Sequence, residues 1–217
     1  MIFGMEVSIV GRPDISLLPV AWLILAIALA VLWFRSRNLW HLLFAAVFGV
    51  YLVFAIAAVF FPIRMDPGIP GSLRAVLRSI NLVPFNYDFS FIPHMVWRQI
   101  FENILLTVPF GFGISFVARL KPKHFLWLVP AVGIGLEGTQ VILALLGVGR
   151  SIDINDVILN GLGVLIGYLL FRLFAWLYVR ATHRFGLPRS GLLGYVCDVS
   201  LRAAGSPDEN MPQPAAP

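Results

Sequence analysis

The sequence predicts an all-α integral membrane protein with about five transmembrane helices and a short interfacial helix in an outer loop. Three observations lead there. Hydrophobic residues make up 59% of the 217 residues and charged residues only 12%, against about 25% charged in soluble domains. The apolar residues gather into five runs, and roughly 17 to 25 such residues at 1.5 Å each suffice to cross about 30 Å of hydrocarbon. Polar or helix-breaking segments separate the runs, one of them long, from Pro62 to Gln99.

The first run, Leu17 to Phe34, contains Ala28-Leu29-Ala30, a faint likeness to a signal cleavage site. It is longer than a signal h-region and has almost no basic segment before it, so a retained span is expected. After Arg35-Ser36-Arg37-Asn38 the second run extends from Leu39 to Phe61, making residues 1–62 a pair of amino-terminal transmembrane helices. Residues 63–100 form the outer loop. Within it Leu73, Val76, Leu77 and Ile80 recur at helical spacing while Arg74 and Arg78 lie off that stripe, which predicts an interfacial helix over Ser72 to Ile80. Pro84 disfavours helix at Val83 and turns the chain before a second approach through Pro93, His94, Trp97 and Arg98. Residues 101–179 hold three further spans, Phe101 to Ala118, Phe125 to Gly147 and Val157 to Val179, divided by Arg119 to His124 and Val148 to Asp156. Residues 180–217 read as a cytoplasmic tail whose Pro- and Ala-rich end, from Gly205, is disordered. No internal repeat is evident.

Orientation follows from Lys and Arg, which are retained on the cytoplasmic side. With five spans one face carries Arg35, Arg37, Arg119, Lys121, Lys123, Arg180, Arg184, Arg189 and Arg202. The amino terminus is therefore expected outside and the carboxyl terminus in the cytoplasm of a cell membrane. A basic face against anionic lipid accounts for the net charge of +5, so no nucleic-acid partner is expected. The single cysteine, Cys197, permits neither an intrachain disulfide nor a thiolate zinc site.

Polar residues inside spans carry the functional argument, because an ionisable side chain at bilayer depth costs about 2.5 to 3.5 kcal/mol even on insertion scales. Glu102 and Asn103 lie near the outer end of the third run, with Thr107 one turn below. Glu137 and Gln140 share a face of the fourth. Asp153, Asp156, Asn160, Gly163 and Gly167 form one stripe on the fifth, acidic outside and small inside. All fall in the outer half of the membrane or just above it, with Arg150 the nearest cation to the two aspartates. Asp153 and Asp156 also suit the cap and first turn of a helix. Gly163 and Gly167 suit close helix packing, and the amides suit interhelical hydrogen bonds. A lone carboxyl such as Glu137 must be protonated or paired at that depth, which points to a specialised site.

Asn81-Leu82-Val83-Pro84-Phe85, Glu102-Asn103 through Pro109-Phe110-Gly111-Phe112, Glu137 with Gln140, and Arg150-Ser151-Ile152-Asp153-Ile154-Asn155-Asp156 through Asn160-Gly161-Leu162-Gly163 with Gly167 form an ordered set of segments. Together they resemble the VanZ-like membrane proteins. The resemblance covers roughly Asn81 to Phe171 and departs at Thr107, where a bulky apolar residue is more usual. It implies a cell-envelope role, with glycopeptide (teicoplanin) tolerance the one for which the family is named.

The residues allow an outward-facing site of Asn103, Glu137, Gln140, Arg150, Asp153, Asp156 and Asn160, with Asn81, Arg98 and Glu102 as outer-loop contributors. Its ligand would be a lipid-linked or peptidoglycan-related molecule whose phosphate or carboxylate meets Arg150 and Arg98. No cofactor is expected and no metal motif such as His-Glu-x-x-His is present, although carboxylates can hold a divalent cation against a lipid phosphate. No catalytic motif is recognisable, and Ser151 lacks a Gly-x-Ser-x-Gly setting. Two other readings stand beside this one: a membrane accessory protein whose polar cluster is structural, and a small transporter, which would gain symmetry as a homo-oligomer.

Overall fold

The computed structural model describes residues 17–60, 80–87, 93–145 and 152–204. Its long helices are α1 (Leu17–Ser36), α2 (Leu39–Phe60), α3 (Pro93–Val117), α4 (Pro122–Leu145) and α5 (Ile154–Phe185). All five are long and apolar enough to cross a membrane, making this a multi-pass, all-α membrane protein. A shorter helix, α6 (Gly191–Ala204), and two strands of two residues each, β1 (Ile80–Asn81) and β2 (Ile152–Asp153), complete the described elements.

Burial is distributed as lipid requires. Leu23, Ile24, Phe54, Leu126 and Trp127 are exposed, while Thr107, Glu137, Asn155 and Asn160 are buried. Lipid tails are as apolar as leucine, so close packing and hydrogen bonds, rather than escape from water, hold the interior together; large apolar side chains such as Phe116, Phe125 and Phe171 are buried in it as packing. α5 is the central helix and packs against α3, α4 and α6. Glycine permits this: a Cβ at Gly163 or Gly167 of α5 would strike the α3 backbone, and one at Gly111 of α3 or Gly133 of α4 would strike the α5 backbone. α2 rests on α3, and α1 packs chiefly on α2.

Helix ends depart from the hydropathy boundaries for identifiable reasons. α3 begins at Pro93, inside the stretch expected as loop, because proline is pre-organised for a first helical position and polarity alone does not stop a helix. The turn from His94 to Gln99 is therefore the first part of a transmembrane helix. α5 runs from a cap at Asp153 to Gly186, whose left-handed backbone (φ 62°) lets its N–H return to the Thr182 carbonyl. Asp156 lies in its first turn and His183 and Arg184 in its last, matching the helix dipole. At 32 residues it spans about 48 Å, longer than the hydrocarbon core. The expected interfacial helix lies outside the described residues except for Ile80, which belongs to β1.

α6 had no counterpart among the apolar runs. It buries Gly194, Val196, Cys197, Val199 and Ser200 against an aromatic cluster that includes Phe116 and Phe171. The Tyr195 hydroxyl donates to the Phe116 carbonyl, and the Tyr178 hydroxyl donates to the Leu193 carbonyl at 3.0 Å. Spacing of Leu193, Val196, Cys197 and Ser200 carried a helical signal. The helix is too short and too polar for a hydropathy scan to find.

Candidate functional site

The carboxylates predicted from the spans come together where α4 ends and α5 begins. β1 and β2 pair in parallel there, Ile80 opposite Ile152 and Asn81 opposite Asp153, fastening the loop segment from Ile80 to the mouth of the helix pair. The Asn81 side-chain amide donates to both Asp153 oxygens at 3.2 Å, while its own carbonyl accepts from Val83 N at 3.2 Å. Asp153 is the amino-terminal cap of α5, accepting the Asn155 N–H at 2.8 Å. Its backbone N–H donates to Glu137 Oε1 at 2.7 Å, which joins α4 to the start of α5.

A second branch runs down the α3–α5 seam. Asp156 Oδ1 accepts from Gln99 at 3.0 Å and from Asn103 at 2.6 Å, both on α3. Asn160 donates to the Asp156 carbonyl at 2.8 Å, and the Thr107 hydroxyl donates to the Asn160 carbonyl at 2.7 Å. A third branch reaches the loop: Phe85, with a left-handed backbone (φ 60°), donates its N–H to Asn155 Oδ1 at 2.6 Å. That contact shapes the Asn81 to Phe85 turn around the tip of α5.

The electrostatics are one-sided. Among the described residues no Lys or Arg forms an ion pair with Glu137, Asp153 or Asp156; their partners are neutral amides and backbone N–H groups. The Tyr87 phenol, outside the spans, is pushed above its ordinary range by partial burial and by the negative fields of Asp153 and Asp156. Three buried polar atoms of this network have no hydrogen-bond partner among the described residues: Glu137 Oε2, Asn155 Nδ2 and Asn160 Oδ1. Glu137 is only 5% exposed, so bulk water does not easily supply one. Among the described residues no three His, Cys, Asp or Glu side chains converge to hold a metal ion. The arrangement is suited to accepting hydrogen bonds from hydroxyl or ammonium groups.

Of the expected site residues, Asn81, Asn103, Glu137, Asp153, Asp156 and Asn160 share this network. Gln140 is half-buried and makes no hydrogen bond among the described residues. Arg98 and Glu102 bond to each other at 2.6 Å on the exposed face of α3 and do not join the carboxylates. Arg150 lies outside the described residues. Gln99 and Asn155 are in the network although composition and depth did not single them out. Gln99 precedes the apolar run, but it sits one turn before Asn103. Asn155 stood in the sequence within the segment Arg150 to Asp156 that carries the resemblance, with no role of its own.

The family described as VanZ/LLP1 matches residues 47–175. The match extends the resemblance back into α2 and covers every carboxylate and amide of the network. No curated protein and no solved structure matches the chain. The family match covers more than half of the 217 residues, and the chain belongs to the VanZ/LLP1 family.

Proposed function

We propose that this membrane protein serves the bacterial cell envelope by binding the polar head of an envelope or lipid-linked molecule at the Glu137, Asp153 and Asp156 cluster, and thereby contributes to glycopeptide tolerance. The observation that carries this reading is Glu137: a buried carboxylate with one oxygen satisfied by the Asp153 N–H and the other without a partner among the described residues. An unpartnered buried carboxylate oxygen costs about 1–3 kcal/mol or more, a cost that a ligand donor would remove. A hydroxyl or ammonium group of a sugar or peptide head has that chemistry. The basic residues Arg35, Arg37, Arg119, Lys121 and Arg202 support an arrangement with their end in the cytoplasm and the carboxylates outside.

A second reading, an accessory protein whose cluster only fixes helix packing, draws support from the complete bonding of Asp153 and the glycine contacts of α5. Glu137→Gln and Asp156→Asn separate the two. A ligand site loses teicoplanin tolerance while membrane abundance stays constant, whereas a packing role makes abundance and tolerance fall together. Equal susceptibility with and without the wild-type protein, at verified expression, removes glycopeptide tolerance from the proposal.

A further inference from the structure

A different site lies at the opposite end of the bundle. The α3–α4 turn, α5 and α6 enclose an open pocket of about 260 Å³. Four cations line it: Arg119, Lys121, Arg172 and Arg202. A neighbouring pocket of about 360 Å³ shares Arg119 and Arg202 and adds Arg35 and His41. No Asp or Glu lines either one. Among the described residues, the side chains of Arg119 and Lys121 make no hydrogen bond or ion pair, and Arg202 donates only to the Asp198 backbone carbonyl, at 3.1 Å.

Arg172 is the unusual member. It lies within α5, half-buried, and its only hydrogen bond among the described residues is a 3.1 Å donation to the Tyr168 hydroxyl. Tyr168 stacks on Phe125 with ring centres 3.8 Å apart, giving the pocket an aromatic wall. An arginine in a membrane helix is costly and ordinarily finds an acidic partner. None is present among the described residues. Arg172 stands 18 residues beyond Ile154, about 27 Å along the helix, so when the start of α5 is at one membrane surface Arg172 is at the other. That is the level of lipid phosphates.

We infer that this pocket binds the phosphate of an anionic membrane lipid, with Arg119, Lys121, Arg172 and Arg202 as donors and the Phe125, Tyr168 and Phe171 side of the pocket against the glycerol and first acyl carbons. Guanidinium groups suit the task because their planar fork meets two phosphate oxygens at once. Depth and the aromatic wall favour a lipid over a soluble phosphate, which would require neither.

The experiment uses the purified, delipidated full chain in detergent, titrated with dioctanoyl phosphatidylglycerol, dioctanoyl phosphatidylcholine or glycerol 3-phosphate. Phosphatidylglycerol should bind at least about tenfold tighter than phosphatidylcholine, given a contribution of roughly fivefold per engaged cation. Arg119→Gln should weaken it about fivefold, and Arg119→Gln with Arg172→Gln about twenty-five-fold. Arg172→Lys should retain part of the affinity. Arg37→Gln, at the same end but outside both pockets, should retain all of it. Excess glycerol 3-phosphate should not compete; competition on equal terms would overturn the lipid assignment in favour of a soluble phosphate. Equal binding of the two lipids, or phosphatidylglycerol binding that survives the double substitution, overturns the site altogether. Should the double variant melt early, Arg119→Gln decides: the Arg119 side chain makes no hydrogen bond or ion pair among the described residues, and unchanged affinity in that variant also overturns the proposal.

Discussion

Replacing Gly167 by alanine tests the architecture that brings the carboxylates together. An alanine Cβ would stand 2.8 Å from Phe112 N and 3.0 Å from the Gly111 Cα, and closer still to the Val108 carbonyl oxygen. Ordinary carbon contacts need about 3.5–4.0 Å, so α3 and α5 must separate by roughly 1 Å. Such a gap forfeits a quarter to a half of each contact's attraction, and overpacking of this kind typically costs about 1–3 kcal/mol. The seam also carries the bonds from Asn103 to Asp156 and from Thr107 to Asn160, so the upper half of that range is expected. The control is Gly138→Ala on α4, where an added Cβ meets nothing within 4 Å. That change should be neutral or stabilising by about 0.5–1 kcal/mol, since alanine is the better helix former. Reversible unfolding in mixed micelles reads both variants. Equal stability of Gly167→Ala and Gly138→Ala would refute backbone contact between α3 and α5. Gly111→Ala should cost a similar amount, and with Gly167→Ala less than the sum, because one separation relieves both clashes.

Two further outcomes follow from the polar network. Thr107→Val keeps the shape of the side chain but removes the hydroxyl that satisfies the Asn160 carbonyl, and should destabilise by about 0.6 kcal/mol and at most about 1.7 by membrane-protein precedent; a stability gain in the same micelle assay would show that the bond is not made. The Tyr87 phenol should ionise above the ordinary value of about 10. Because the folded value is the raised one, its contribution to stability is constant below that ordinary value and is lost as pH rises through the folded one. Asp156→Asn should lower the Tyr87 midpoint by removing a nearby negative charge, read as the difference in phenolate absorbance between each protein and its Tyr87→Phe counterpart. An unmoved midpoint would mean that the Asp156 carboxylate does not act on Tyr87.

Hydropathy and helical spacing are local properties, and what they encode was readable. The five spans appear as apolar runs because each must satisfy its own backbone inside lipid. Asp153, Asp156, Asn160, Gly163 and Gly167 could be aligned on one stripe because residues three and four apart share a helix face. Partners contributed by the backbone were not readable in the same way. Glu137 is engaged by the Asp153 N–H and Asn155 by the Phe85 N–H, and no side-chain pattern announces either. Gln140 shares a face with Glu137 yet makes no hydrogen bond among the described residues, since a face can be filled by only what the next helix offers.

The sequence by itself determined that the chain is a membrane protein and which five stretches form helices long and apolar enough to cross. The tertiary structure decided which polar residues meet. It bonded Arg98 to Glu102 away from the cluster, drew Gln99 onto Asp156, and folded the tail segment 191–204 back as α6 to line a basic pocket beside Arg172. The reason is distance along the chain: Asn81 and Asp153, or Arg119 and Arg202, are remote in sequence, and only the β1–β2 pairing and the close approach of α3 and α6 to α5 make them neighbours.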